Sequence, residues 1–180
     1  KWLITGVAGF IGSNLLEQLL LLNQKVFGID DFSKGLKKNL IDVKKNVTKK
    51  QWNNFKFFKT DISKINNYKK QIGKIDFVLH QAARGSVLKS ILNPLKTNHS
   101  NVNGFLSVLN FSKEISVKSF VYASSSSVYG DSKQLPKRES KVGNLLSNYA
   151  LTKKTNEEYA KLFFKLYNLK SVGLRYFNVF

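Results

Sequence analysis

Apolar positions along this chain fall into short continuous runs separated by stretches spaced at helical intervals. Trp2-Leu3-Ile4 is the first run; glycines follow, and then Leu15, Leu16, Leu19 and Leu20, which predicts a strand, a loop and a helix in that order. Residues 25–29 form a second run that ends at Asp30-Asp31. Leu36, Leu40, Val43 and Val47 then predict a helix with lysines on its outer face. A third strand over residues 55–58 leads through Thr60-Asp61-Ile62 into a short lysine-rich helix, and residues 75–79 give a fourth strand. Pro94 opens a helical segment whose apolar side carries Val102, Phe105, Leu106 and Leu109. Residues 119–123 predict a fifth strand, 148–167 a long helix and 171–176 a sixth strand. Strands that alternate with helices, several of them continuously apolar, imply an α/β fold: a doubly wound parallel sheet covered on both faces. No repeat or linker breaks the alternation, so residues 1–180 are expected to form one domain. The Gly- and Ser-rich stretches follow strands, on the carboxyl edge where such sheets bind ligands.

Composition narrows the function classes. No stretch reaches the roughly 18–20 apolar residues of a membrane span. Residues 15–22 include Glu17 and Gln18 and read as an amphipathic helix, not a signal sequence. The chain has no Met and opens on Lys1-Trp2, so it is expected to be part of a longer product. The absence of Cys removes disulfides and thiolate metal sites and is compatible with the cytoplasm, the expected location. His80 reads as a packed core residue and His99 as a surface one, so no metal site is expected. The net charge of +19 raises nucleic-acid binding as a class. However, the lysines are scattered and only three arginines occur, with no aromatic-interleaved patch. Neither nucleic acid nor a membrane is expected as a partner, although a positive field attracts anionic nucleotides.

Two constellations carry chemistry. In Thr5-Gly6-Val7-Ala8-Gly9-Phe10-Ile11-Gly12, between a strand and a helix, glycines allow a tight turn and bring backbone amides close to a diphosphate. Gly6, Gly9 and Gly12 are therefore candidate cofactor residues of a Rossmann fold. Asp30, 18 positions after Gly12, stands where a carboxylate accepts hydrogen bonds from adenosine ribose hydroxyls and repels a 2′-phosphate, which favours NAD over NADP. The second constellation is Tyr149 and Lys153, one helical turn apart and just downstream of the serine loop Ser124-Ser125-Ser126-Ser127. A phenol beside an ammonium has its pKa lowered from about 10, which makes it a usable general base.

Together the glycine spacing, the serine loop and Tyr149-x-x-x-Lys153 resemble the extended short-chain dehydrogenase/reductase superfamily, and within it the nucleotide-sugar 4-epimerases. The stretches that carry the resemblance are TGVAGFIGSNLLE at the start, LHQAARGSV at 79–87, YASSSSVYGD at 122–131 and GLRYFNVF at the end. The pattern is most like that of the bacterial UDP-N-acetylglucosamine 4-epimerases of polysaccharide biosynthesis. The resemblance covers the cofactor half of that fold and implies that a C-terminal substrate domain is missing. It further implies Tyr149 as base, Lys153 as the group that tunes it and holds the nicotinamide ribose, and Ser125 as a partner of the reacting hydroxyl. Phe10 and Ile11 would contact the diphosphate of NAD, and Asp61 and Ile62 its adenine. Gln81, Ala82, Ala83 and Asn101 would line the cofactor cleft. Gly85, Ser86 and Ser126 would face the hexose, with Phe177 and Asn178 where cofactor and substrate meet. The implied reaction is transient oxidation of a UDP-hexose at C4, in an enzyme that is a homodimer at full length.

Related enzymes that eliminate water or carbon dioxide carry carboxylates where this chain has Ser126 and Ser127, and a hydroxyl cannot replace a carboxylate in acid–base work near neutral pH. UDP-glucuronate and UDP-acetamido-uronate 4-epimerases remain as alternatives, with a non-catalytic nucleotide-binding module as a third. Gly85-Ser86-Val87 favours the acetamido-sugar group. Arg84, Leu88 and Asn148 depart from the pattern, the first replacing an apolar residue and the others prolines. Arg84 beside the sugar pocket would favour an acidic substrate.

Overall fold

The computed structural model describes residues 1–180. Six strands, β1 (Trp2–Thr5), β2 (Val26–Asp30), β3 (Phe55–Lys59), β4 (Phe77–His80), β5 (Ser119–Ala123) and β6 (Ser171–Leu174), form one sheet in the order β3-β2-β1-β4-β5-β6. Every pairing is parallel. Parallel neighbours need crossovers, and helices supply them. These are α1 (Phe10–Leu21), α2 (Lys37–Asn46), α3 (Lys49–Trp52), α4 (Lys69–Ile72), α5 (Val87–Leu92), α6 (Pro94–Asn98), α7 (Gly104–Glu114) and α8 (Asn148–Tyr167). The strand order reverses between β1 and β4, so the loops after these strands part into a crevice, the usual ligand position in such sheets.

Successive side chains of a strand point to opposite faces. Ile4 joins Val7, Leu16, Leu20 and Val26 in the layer against α1 and α2. Leu3 joins Ile29, Val78 and Phe120 in the opposite layer, with Phe105, Leu109 and Phe111 of α7 and Ala160 and Phe163 of α8. Adjacent residues Leu3 and Ile4 are both fully buried, which explains why the strands read as continuous apolar runs.

The long helix matches its expected span. Ser147 caps it by accepting the Ala150 N–H at 3.1 Å, and Asn168 ends it in the left-handed region at φ 53°. Elsewhere the structure corrects the reading of the pattern. β4 begins at Phe77, not Ile75: the Asp76 carboxylate is held by the N-terminal ammonium at 2.8 Å and by Lys118 at 2.9 Å. β6 ends at Leu174, not Tyr176, because Arg175 turns back to Glu157 and the Tyr176 carbonyl accepts the Ser126 N–H at 2.8 Å. The helix expected from Pro94 is divided into α6, a π-helical turn at His99–Asn103, and α7. The lysine-rich helix after β3 is mainly a 3₁₀ segment, Ile62–Tyr68, with only the short α4 beyond it. α3 and α5 have too few turns to show a period. They are marked instead by caps: the reciprocal Thr48/Gln51 box and the Ser86 hydroxyl, which accepts the Lys89 N–H at 3.2 Å.

Candidate active site

The crevice is built from the β1–α1 turn. Gly6 adopts φ +68°, and a Cβ there would stand 2.7 Å from the Ala82 nitrogen in the loop after β4. A Cβ on Gly12 would collide with the Gly6 carbonyl oxygen. Only glycine lets these two loops and the first turn of α1 close on one another. No side chain caps α1, so the N–H groups at Phe10, Ile11 and Gly12 are left for an anion, favoured also by the helix dipole.

Asp30, at the end of β2, is buried and already accepts two backbone N–H groups, from Ala8 at 3.0 Å and Phe32 at 2.8 Å. Burial raises its pKa; the Phe32 and Ala8 hydrogen bonds oppose the shift, and the charge of Asp31 adds to it. A carboxylate has about four acceptor positions, so two remain for ribose hydroxyls. Gly35 approaches so closely that a Cβ there would lie 2.8 Å from both carboxylate oxygens. Asp61 caps the 3₁₀ segment by accepting the Ser63 N–H at 2.8 Å, beside buried Ile62. Asp30, Asp61, Ile62, Gln81, Ala82 and Ala83 line a single cleft with Gly6 and Gly9. The buried Gln81 Oε1 in that wall has no hydrogen-bond partner. Asn101 is buried behind it. Its carboxamide accepts the Arg84 N–H at 2.7 Å and donates to the Arg84 carbonyl at 3.1 Å and the Thr152 hydroxyl at 3.2 Å. It braces the loop after β4 against α8.

Ser125, Tyr149 and Lys153 meet at the carboxyl end of β5. The Ser125 hydroxyl accepts the Ser127 N–H at 3.1 Å and stands near the Tyr149 phenol. Lys153 is 2 % exposed and donates to the Ala123 carbonyl at 2.7 Å, with its Nζ 5.9 Å from the Tyr149 ring centre. Burial without a counter-charge pushes the Lys153 pKa down to about 8. The expected depression of the Tyr149 pKa is not found. Burial of the phenol raises it, and the nearby Ser125 hydroxyl only partly opposes this, while the ammonium is turned to Ala123. The two remaining N–H donors of Lys153 have no protein acceptor, a donor set suited to ribose hydroxyls.

In the sequence Asn148 stood out only as a departure from the pattern, and the supporting residues Ser90, Glu157 and Arg175 were not singled out. Buried Ser90 accepts the Tyr149 N–H at 3.1 Å and donates to the Val87 carbonyl at 2.6 Å, while Asn148 donates to the Ser90 carbonyl at 3.1 Å. Glu157 of α8 receives the Ser124 hydroxyl at 2.6 Å and two Arg175 N–H groups at 2.8 and 2.9 Å. Arg175 also lies 4.8 Å over the Tyr129 ring, which stacks on exposed Phe177 at 6.0 Å. This network joins the serine loop, which carries Ser126, to the segment after β6, which carries Asn178. Its traces in the sequence are the GLRYFNVF stretch and, for Ser124 and Tyr129, YASSSSVYGD. Gly85 and Ser86 lie beyond the cleft, at the start of α5. The glycine cradle, the spare acceptors of Asp30, the orphan Gln81 oxygen and the free Lys153 donors all fit NAD. Among His, Cys, Asp and Glu residues, no group of three or more is placed to hold a metal ion, and no helix is long and apolar enough to cross a membrane.

Residues 2–180 match the family described as "NAD dependent epimerase/dehydratase family". The chain is 38 % identical to the protein CapI of Staphylococcus aureus, covering 100 % of this chain and 54 % of CapI. It is 37 % identical to the UDP-glucuronate 4-epimerase of Thermodesulfobacterium geofontis, covering 99 % and 56 %. Among solved structures, it superposes with a TM-score of 0.88 and 34 % identity on the UDP-N-acetylglucosamine 4-epimerase of Methanobrevibacter ruminantium, solved in complex with UDP-N-acetylmuramic acid; the match covers 100 % of this chain and 55 % of that one. The chain thus spans about half the length of the curated relatives it matches.

Proposed function

The chain belongs to the NAD-dependent epimerase/dehydratase family, and from that premise we propose that it is the cofactor-holding and catalytic part of a UDP-sugar 4-epimerase. The observation that carries this reading is the convergence of Ser125, Tyr149 and Lys153 at the carboxyl end of β5, beside the glycine-lined cleft. A pure binding module has no need of a phenol, a serine hydroxyl and a buried ammonium gathered in one place.

In this reading Ser125 holds the C4 hydroxyl of the sugar and Tyr149 takes its proton. NAD held by the glycine turn and Asp30 would supply the hydride acceptor and donor for C4, and the sugar must turn over between the two transfers. Lys153 favours the phenolate when its ammonium turns from Ala123 towards the phenol. Tyr149 then returns the proton to the C4 oxygen, so neither oxidation nor proton loss remains. Gly85, Ser86, Ser126 and Asn178 are assigned to the hexose side, and Phe177 to the junction. Asn101 is assigned to the cofactor wall through its grip on Arg84.

For the substrate we favour UDP-N-acetylglucosamine and its galacto epimer. The Gly85-Ser86-Val87 stretch and the likeness to the Methanobrevibacter enzyme support this. The uronate reading is supported by a specific feature, the Arg84 and Lys89 cations flanking Gly85 and Ser86, and by the likeness to a UDP-glucuronate 4-epimerase. At full length we propose a homodimer, supported by exposed Leu151, Leu162 and Leu166 along one side of α8.

The test is Tyr149→Phe in the full-length protein, assayed with UDP-N-acetylglucosamine, UDP-glucose and UDP-glucuronate. We expect NAD to be retained and turnover to fall by about 10²–10⁴-fold, the range for a general base. Unchanged turnover would remove the role given to Tyr149. The preferred sugar in the wild-type panel decides between the two substrate readings.

A further inference from the structure

Ser125 stands inside a closed circuit of hydrogen bonds whose charged members take no part in the proposed reaction. On α8, Tyr149, Lys153 and Glu157 follow one another at intervals of four and share one side of the helix. The last two each grip a residue at the end of β5: Lys153 the Ala123 carbonyl at 2.7 Å, and Glu157 the Ser124 hydroxyl at 2.6 Å. Ser125 comes next in the chain. On its other side, the Ser126 N–H donates to the Tyr176 carbonyl at 2.8 Å. Arg175, the neighbour of Tyr176, closes the circuit by donating Nε and Nη2 to the two Glu157 oxygens at 2.9 and 2.8 Å.

Three features set this pair apart from the surface ion pairs of the chain. Its side chains are only 12 % and 16 % exposed, against 44 % and 32 % for Lys69 and Glu114, and exposed pairs contribute little. The guanidinium fork fixes the direction of the carboxylate, and the Oε1 that takes Nε also takes the Ser124 hydroxyl. Arg175 is itself held: Nη1 donates to the Glu139 carbonyl at 3.1 Å, and the guanidinium lies over the Tyr129 ring. Lys154, 3.8 Å from Glu157, is drawn instead to Glu158 at 2.9 Å.

We propose that Glu157 and Arg175 are positioning residues: they set the serine loop against α8 so that Ser125 faces Tyr149, and they tie the segment carrying Phe177 and Asn178 to the same loop. The inference rests on the epimerase reading of this site. The pair acts through Ser124 and Tyr176 on the residue held between them. A largely buried ion pair adds little net stability over an apolar replacement, so its use here is orientation. Lysine at position 175 would keep the charge and lose the fork.

The experiment compares Ser124→Ala, Arg175→Lys and Lys69→Gln with the wild type, all full-length and NAD-loaded. Ser124→Ala cuts the link to the loop and leaves the ion pair intact. Arg175→Lys keeps the charge, and Lys69→Gln breaks an ion pair elsewhere, with Glu114. Turnover is measured on the same three UDP-sugars, and amide hydrogen exchange over residues 124–130 by mass spectrometry. We expect the first two variants to lower kcat at least tenfold, with KM and bound NAD changed less than twofold. Exchange over residues 124–130 should quicken at least tenfold while β1–β4 stay protected. Lys69→Gln should change neither. Both effects are required: slower turnover without faster exchange, or faster exchange without slower turnover, overturns the positioning role. So does a rise in KM at constant kcat, which would mark a sugar contact, or faster exchange throughout the sheet, which would mark general loosening. A wild type that turns over none of the three sugars refutes the epimerase reading instead, and exchange over residues 124–130 then decides by itself whether the pair holds the loop.

Discussion

Buried against Phe105 and Phe120 and hydrogen-bonded to the Thr5 hydroxyl at 2.8 Å, the imidazole of His80 titrates at about 3. Burial is the main cause, and the Lys153 charge adds to it. Above the unfolded value of about 6.5 the ring is neutral in both states and contributes no pH dependence. Below it the unfolded chain takes up a proton that the folded chain refuses, so stability falls by about 1.4 kcal/mol per pH unit towards pH 3. In urea denaturation between pH 7 and 4.5, His80→Gln should therefore lose roughly 2–3 kcal/mol less than the wild type. An identical pH slope would contradict this. Lys153 makes the opposite bargain between stability and function. Its ammonium is held at neutral pH with one protein acceptor, at a desolvation cost of roughly 3–4 kcal/mol. In cofactor-free protein, Lys153→Met should raise the melting temperature while abolishing turnover. A lower melting temperature would show that the Ala123 hydrogen bond outweighs the burial. The candidacy of Lys153 was legible from its spacing to Tyr149. Its pKa was not, because the shift depends on which atoms surround the ammonium.

At the scale of elements, α8 carries Tyr149 in its first turn, and Ser90 on α5 fixes where that turn begins. Ser90→Ala would leave the Tyr149 N–H without its partner. The expected cost is about 1–2 kcal/mol, seen as a lower melting temperature. A fall in kcat larger than any change in KM would mark Ser90 as a positioning residue and not merely a structural one. In α1, Gly12→Ala should cost roughly 2–3 kcal/mol, because the added methyl meets the Gly6 carbonyl, and NAD should be lost as the turn opens. Retained NAD affinity in Gly12→Ala would refute the close-packed turn. The long elements were readable because their periods repeat over several turns, and α8 fell where its pattern placed it. The short α3 and α5 and the π-helical turn at His99–Asn103 were not. Their limits depend on caps and on the pull of Asn101 towards Arg84, which come from distant residues.

At the scale of the molecule, β6 is an edge strand, and exposed Val172, Phe177, Val179 and Phe180 lie on or just after it. An open edge with apolar neighbours is a template for pairing. As an isolated 180-residue chain, we expect concentration-dependent association in light scattering and far weaker epimerisation than the full-length protein. Full-length turnover by residues 1–180 alone would contradict this. The net charge of +19 should make that association stronger as salt screens repulsion.

The sequence by itself determined the parallel sheet, the glycine turn and the Tyr149/Lys153 pair, because each is local: a run of strand residues, a loop between strand and helix, one helical turn. Only the tertiary structure decided how these parts act on one another. It placed Asp30 between two backbone donors, turned the Lys153 ammonium to Ala123 so that the Tyr149 pKa rises, and joined Glu157 and Arg175 to the serine loop. Burial and electrostatics depend on distances between residues far apart in the chain, and those distances exist only once the sheet has formed.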